Sequence, residues 1–277
     1  MLTIYKKQLQ KTWLFWTVPI ALLVAMALLL IWIWPDYEPI MKQFETVLED
    51  NPVFAALLGE GTLDLGISSF EGFASVEMFM VADIVFMALI LLFGTMSIAR
   101  EADSGTLDII LSYPVPRWEF LLEKLLAFIT LTLSFPILVW GVIHVGAVSL
   151  SVDFNSEAFL LALLGKWIVY MVFACITLLC SVIFMETTKT LSSAGLIVGG
   201  SWIFERFGGL IRAASEETAD ILQGVSLFHY LDGGAVLNKL INNGDFPVDE
   251  LILILTIGIA VLLAALFLFQ KREFTYI

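Results

Sequence analysis

Long uncharged runs dominate the pattern of hydrophobic and polar positions along the chain. A helix that crosses a bilayer core needs about 20 mainly apolar residues. Runs that reach or approach this length occur at 13–34, 78–98, 125–148, 159–184, 191–211 and 251–269. They predict an all-α membrane protein with six transmembrane helices. The first run is too long for a removable signal peptide and lacks a small-residue cleavage site, so we expect it to remain as a helix.

The fifth run is the weakest of the six. It stays uncharged only over 191–204, before Glu205 and Arg206 interrupt it. We predict a span that ends in a broken or re-entrant piece around 208–209, which is tolerated only where protein or water covers the backbone. Glu205 is expected to pair with Arg206 or Arg212 across this break, either as a structural link or as part of a substrate site.

The positions of lysine and arginine orient the predicted helices. Most of the basic residues fall on one side of the membrane, and the side richer in bases is usually cytoplasmic. These are Lys6, Lys7, Lys11, Arg100, Arg117, Lys124, Lys189, Lys271 and Arg272. Both termini are therefore predicted to be cytoplasmic, with external segments at 35–77 and 205–250. The residues before the first span predict either an interfacial amphipathic helix or a plain basic anchor.

Composition supports the membrane assignment. Hydrophobic residues make up 60% of the chain and charged residues 15%, whereas soluble proteins are roughly 45 to 50% apolar and about 25% charged. A net charge of −13 argues against a nucleic-acid partner, because phosphate contacts need a basic patch. No internal repeat is apparent, so we expect a single transmembrane domain over residues 1–277.

The connection between the second and third spans carries the most specific pattern. Leu107, Ile110 and Leu111 recur at helical spacing, and Asp103 or Ser104 is placed to cap the first turn. We predict a short helix parallel to the membrane on its cytoplasmic side. Such a helix needs an apolar partner, either the lipid headgroup layer or a groove in another protein.

This connection resembles a known family. Residues 101–107 read Glu-x-x-Ser-Gly-Thr-Leu, residues 111–117 read Leu-Ser-x-Pro-Val-x-Arg, and Lys124 opens the next span. The pattern is similar to that of permease subunits of the second type of ATP-binding-cassette (ABC) exporter. The ending at 269–273 and the Gly-Phe pair at 72–73 are also similar to that family.

The resemblance implies a dimeric permease in a prokaryotic cell membrane, with either the same chain or a relative as its second half. Two cytoplasmic ATPase subunits would bind ATP and Mg²⁺, while this chain binds no cofactor and exports an amphipathic drug, peptide or lipid. In the family the connection is a coupling helix that enters a cleft of the ATPase, and small re-entrant helices precede the sixth span. The matching positions here are Glu101, Ser104, Gly105, Thr106, Leu107, Leu111 and Arg117.

The chain lacks other recognisable catalytic patterns. A phosphate-binding loop needs Gly-x-x-x-x-Gly-Lys followed by Ser or Thr, and Gly165-Lys166-Trp167 lacks both the first glycine and the hydroxyl. ATP is therefore expected to be handled by another chain. His144 and His229 are far apart and in no metal-binding motif, so we predict neither catalytic residues nor a metal site.

Asp83 is the most conspicuous charge inside a predicted span. Because a carboxylate in hydrocarbon is costly, its side chain should face protein or water. It is either a group on the transport pathway or an outer-end residue wetted from the side of Glu77. Gly195 and Gly199 have the spacing of small residues that let membrane helices pack closely.

Two rival functions stay open. An ATPase-linked sensing or resistance module would bind its ligand on the outer segment at 35–77 and carry nothing across. An ion-coupled secondary carrier would need several buried ionisable residues and inverted repeats, whereas the sequence singles out Asp83 alone.

Overall fold

The computed structural model describes residues 3–49, 68–107, 112, 116–212 and 214–272, which form helices and their connecting turns. The helices are α1 (Thr3–Glu49), α2 (Phe70–Gly94), a π-helical turn (Thr95–Ala99), α3 (Arg100–Asp103), α4 (Arg117–Thr132), α5 (Ser134–Leu150), α6 (Ser156–Phe184), α7 (Thr187–Arg212), α8 (Glu216–Val225), α9 (Leu227–Tyr230), α10 (Gly233–Asn243) and α11 (Val248–Lys271).

Five helical stretches of the described chain are long and apolar enough to cross a membrane. They are Thr12–Ile40, Phe70–Asp103, Arg117–Leu150, Ser156–Phe184 and Val248–Lys271. Helix α6 lies at the centre of the bundle, because 67% of its most apolar stretch is buried, against 17% for α11. The predicted all-α membrane fold is thus confirmed in its class, while α7 is absent from this set.

The route of the chain nevertheless requires a return between α6 and α11. Helices α6 and α11 run parallel, since Gly165 lies near Phe246 and the Arg272 guanidinium donates to the Val182 carbonyl at 2.7 Å. The chain must therefore return between the end of α6 and the start of α11. Helix α7 has 26 residues and about 39 Å of length, enough for that return.

Polar contacts define one end of the bundle, which we call the basic end. Here the start of α4 meets the end of α11, the end of α11 meets the end of α6, and α3 meets the start of α7. The first turns of α1 join them, because the Tyr5 N–H donates to the Glu123 carboxylate at 2.9 Å.

Helix α1 is longer than the sequence predicts. It continues through Pro35 and Pro39 to Glu49, so the predicted boundary at residue 35 is wrong. The chain on either side of Pro35 is held by aromatic packing: the Trp34 ring lies 5.5 Å and the Tyr37 ring 4.2 Å from that of Phe73. This packing favours continued helix despite the backbone donors that the prolines lack. The residues before the first span are part of the same helix.

Several other boundaries also move. Helix α2 begins at Phe70, eight residues before the predicted start, because the Ser69 hydroxyl accepts the Gly72 N–H and caps it. The third span divides at Leu133 into α4 and α5, and the last span is extended slightly at both ends. Residues 50–67 of the predicted external segment lie outside the described residues.

The predicted break in the fifth span is wrong. Helix α7 runs unbroken through Gly208 to Arg212, and α8 then folds back along it. A Cβ at Gly208 would lie 2.5 Å from Cγ of Gln223, so the glycine allows the two helices to touch. The return brings Ser226 within 2.8 Å of the Ser201 carbonyl. The segment at 205–250 thus contains a re-entrant unit, α8 to α10, rather than loops alone.

Candidate coupling site and buried charge network

The Glu-x-x-Ser-Gly-Thr stretch forms the end of a helix. The Gly105 N–H donates to the Ala102 carbonyl and the Thr106 N–H to the Glu101 carbonyl, each at 3.0 Å. This pair of bonds, with Gly105 at φ +67°, is a Schellman motif. Only glycine adopts that left-handed conformation at little cost, which explains its place in the pattern.

The hydroxyls of this turn reinforce it. Ser104 and Thr106 both direct their hydroxyls to the Glu101 carbonyl at 3.2 Å, and the two oxygens lie 2.8 Å apart. The Asp103 carboxylate instead accepts the Thr187 N–H at 2.7 Å. It therefore caps α7, which differs from the expectation that Asp103 or Ser104 caps the coupling helix.

The predicted coupling residues differ in their exposure and contacts. Ser104, Gly105 and Thr106 are exposed at the basic end. Leu107 is only 3% exposed and belongs to the hydrophobic core, so its side chain packs inside this chain. Leu111 lies outside the described residues.

Glu101 and Arg117 tie the segment to other helices. The Glu101 carboxylate pairs with Lys124 of α4 at 2.7 Å, and Lys124 also donates to the Ser97 carbonyl. The Arg117 guanidinium donates to the Arg272 carbonyl at 2.6 Å, just past the end of α11. Both side chains therefore hold the segment against the bundle.

The π-helical turn just before this segment is stabilised from α6. The Ser181 hydroxyl oxygen accepts the N–H groups of Ile98 and Ala99 at 3.2 and 2.9 Å. A π-turn loosens the regular hydrogen-bond ladder, and such turns often lie at functional sites. Helix α2 thus has a defined point of bending between its apolar part and the basic end.

A second group of polar residues lies within the apolar stretches of α2 and α6. Asp83 and Lys166 are each 1% exposed and their charged atoms lie 3.1 Å apart. The Tyr170 hydroxyl donates to Asp83 at 2.8 Å. Because burying an unpaired charge is costly, this pairing is what allows both residues to lie in the core.

Two further charges connect this pair to α7 and the re-entrant unit. Arg206 lies 3.5 Å from Asp83, and Asp232, between α9 and α10, lies 3.6 Å from Lys166. Asp232 also accepts the N–H groups of Gly234 and Ala235, so it caps α10. The four charges sum to zero. The Asp83–Lys166 pair is neutral by itself, and Arg206 and Asp232 together are also neutral.

The network gives these residues partners that the sequence does not show. Asp83 is buried among protein side chains rather than wetted, while its place on the transport pathway stays a prediction. The Glu205 carboxylate lies 3.3 Å from Nδ1 of His229, so its contact is with the re-entrant unit. Arg212 contacts Asp220 and Gln223 of α8. The sequence signal for the network was Lys166, a second charge inside a predicted span.

Gly195 and Gly199 lie on an open face of α7. A Cβ at either position would meet no atom within 4 Å. The described residues therefore provide no helix that packs against them, and the expected close packing stays a prediction for a second chain.

A comparison with protein families identifies the chain. The family described as "ABC-2 family transporter protein" matches residues 3–274. No curated protein and no solved structure matches. Members of this family are multi-pass transmembrane permeases without their own nucleotide-binding motif, and they generally work with ATPase partners. With nearly the whole chain matched, the protein belongs to the ABC-2 family of membrane transport subunits.

Proposed function

We propose that this chain is the membrane subunit of an ATP-driven exporter of an amphipathic drug, peptide or lipid. Separate cytoplasmic ATPase subunits bind ATP and Mg²⁺, and the segment from Glu101 to Arg117 receives their motion. The basic end faces the cytoplasm, in keeping with the bias of lysine and arginine. The direction of transport is proposed from the resemblance of residues 101–124 to exporter permeases.

One observation carries the proposal: the segment is bonded to the helices that it would have to move. Glu101 contacts α4, Asp103 caps α7, and Arg117 binds the end of α11. Arg272 in turn donates a hydrogen bond to the Val182 carbonyl of α6. A displacement of the segment would therefore also displace α4, α6, α7 and α11. The π-turn would let the end of α2 bend.

The transport pathway is proposed to lie between two permease subunits, on the open face of α7. Gly195 and Gly199 lie on this helix, and Leu196 and Phe207 are large apolar side chains that it exposes. An apolar face of this kind suits the acyl or aromatic part of an amphipathic substrate. It also suits close approach of a second subunit.

The docking role is tested by substitutions in the segment. Leu111→Asp and Ser112→Trp should leave the protein inserted in the membrane but lower substrate-stimulated ATPase activity of the purified complex by about tenfold or more. Asn243→Trp changes an exposed position at the end of α10, at the opposite end of the bundle; it is the matched control and should retain activity.

Leu107→Asp has a different expected outcome, because Leu107 is buried in the core. It should reduce the amount of folded protein rather than uncouple it. Full coupling in both Leu111→Asp and Ser112→Trp would contradict the proposed docking role.

A further inference from the structure

A cavity of about 360 Å³ lies at the end of the bundle opposite the basic end. It is enclosed by α9, α10 and the start of α11, and its volume falls in the range of about 300 to 1,000 Å³ that is usual for small-molecule sites. None of its lining residues is on α7, the helix proposed to line the transport pathway. They include His229, Tyr230, Asp232, Lys239, Pro247 and Glu250.

The charged side chains of this cavity differ in what they already contact. Asp232 belongs to the buried charge network and caps α10, and His229 contacts Glu205. Lys239 of α10 and Glu250 of α11 instead pair with each other, with Nζ and Oε1 3.0 Å apart. Their side chains are 50% and 32% exposed, so both charges are accessible to a ligand.

The Lys239–Glu250 pair opens at little cost, because a partly exposed ion pair contributes little to stability. The contact uses one of the three donors of the ammonium and one of the two oxygens of the carboxylate. A ligand with both an anionic and an ammonium group can therefore bind the two residues through charge-assisted hydrogen bonds. The Tyr230 hydroxyl donates to the Gly224 carbonyl at 2.8 Å, so its oxygen offers a further acceptor to the ammonium group.

The depth of the cavity indicates the source of such a ligand. Helix α11 has 24 residues and a length of about 36 Å, whereas the hydrocarbon core of a bilayer is about 30 Å thick. Its first turn, which contains Glu250, therefore lies at the level of the lipid headgroups. Leu253 lies one turn further along on the same side of the helix and is 42% exposed. An acyl chain can thus pack on α11 beneath a headgroup in the cavity.

We propose that this cavity holds the headgroup of a phospholipid that carries a phosphate and a primary ammonium group, as in phosphatidylethanolamine. The phosphate contacts Lys239, the ammonium group contacts Glu250 and the Tyr230 oxygen, and an acyl chain lies along Leu253. The lipid binds between α10 and α11, away from the open face of α7, so it is a resident lipid rather than the transported substrate. The inference goes beyond the proposed export function and does not depend on it.

Binding of short-chain phosphatidylethanolamine to the full-length protein in detergent tests the inference, measured by native mass spectrometry. Lys239→Met should weaken binding by about tenfold, as expected for the loss of a charge-assisted hydrogen bond. Lys42→Met is the matched control, because Lys42 forms an exposed ion pair with Glu38 on α1, outside the cavity. The control should keep its affinity within about twofold of the wild type. Equal affinities for Lys239→Met and the wild type would overturn the inference.

The ammonium contact is tested with phosphatidylglycerol, which has the phosphate but no ammonium group. The wild type should prefer phosphatidylethanolamine by about tenfold, and Glu250→Gln should remove most of this preference. A wild-type protein that binds the two lipids equally would contradict the contact with Glu250.

Free phosphoethanolamine separates the two sources of the same headgroup chemistry. It should bind at least about tenfold more weakly than the lipid, because it lacks the acyl chains that pack on α11. Equal binding of the free compound would mean that the ligand is a soluble molecule, and it would contradict the assignment to a lipid.

Discussion

Asp83 and Lys166 form a buried ion pair whose stability depends on mutual neutralisation. Each residue alone would leave a charge in a core that excludes water, so the pair contributes mainly by avoiding that cost. Tyr170, Arg206 and Asp232 complete the shell around the two charges. The same arrangement joins α2 and α6 to α7 and the re-entrant unit.

Removing one member of the pair should therefore be costly. Lys166→Met leaves Asp83 and Asp232 with Arg206 as the one remaining cation of the network, and it should destabilise the protein by about 3 to 5 kcal/mol, measured by thermal unfolding in detergent. Lys239→Met is the control, because Lys239 pairs with Glu250 in a partly exposed setting and its loss should cost at most about 1 kcal/mol.

A double variant separates charge balance from side-chain loss. Asp83→Asn combined with Lys166→Met keeps the remaining charges at zero and should recover most of the stability lost in the single variant. A double variant that is less stable than Lys166→Met would show that the ion pair itself, rather than its neutrality, holds the core.

At the residue scale, the sequence shows that a charge is present inside a span but does not show which charge pairs with it. Asp83 stands out from its apolar surroundings, but Lys166 is 83 positions away and Arg206 is farther still. Which of them meet depends on how α6 and α7 pack on α2. For the same reason the buried position of Leu107 could not be read from its helical spacing, since an apolar stripe fits an outside partner as well as the core.

At the scale of elements, Asp103 links α3 to α7. It accepts the Thr187 N–H at 2.7 Å and so supplies the cap for α7 from a different helix. Because Asp103 lies within the proposed docking segment, this bond makes the start of α7 sensitive to the position of that segment.

Asp103→Ala should release the first turn of α7. Loss of a helix cap typically costs about 1 kcal/mol, so amide hydrogen exchange over residues 187–191 should become faster, and substrate-stimulated ATPase activity should fall. Ser215→Ala removes the cap of α8 and should speed exchange there alone. Unchanged exchange at 187–191 in Asp103→Ala would show that the contact does not hold α7.

The elements illustrate where sequence patterns succeed and fail. All six apolar runs lie in helices, and five of them lie in stretches long and apolar enough to cross a membrane. The end of α1 and the continuity of α7 were missed for the same reason, because contacts with other parts of the fold outweigh the local preference of the chain. Proline and glycine weaken a helix locally, yet aromatic packing carries α1 past Pro35, and α8 packs directly on Gly208 of α7.

At the scale of the whole molecule, the bundle has a basic end held by polar bonds and a membrane-spanning body held by apolar packing and one neutral charge network. The apolar spans were predictable from hydropathy. The packing of the re-entrant unit against α7 was not predictable from the sequence. Its helices are short, and their contacts with α7 depend on the fold.

The most direct test of the account is disulfide or short-linker cross-linking between this chain and its ATPase in native membranes. The buried residues Cys175 and Cys180 are first replaced by alanine, and a single cysteine is introduced at Ser112 or, as the control, at Asn243. The account predicts that Ser112→Cys forms a cross-link to the ATPase that changes in yield with ATP, whereas Asn243→Cys forms none. A cross-link from Asn243→Cys, with none from Ser112→Cys, would contradict it.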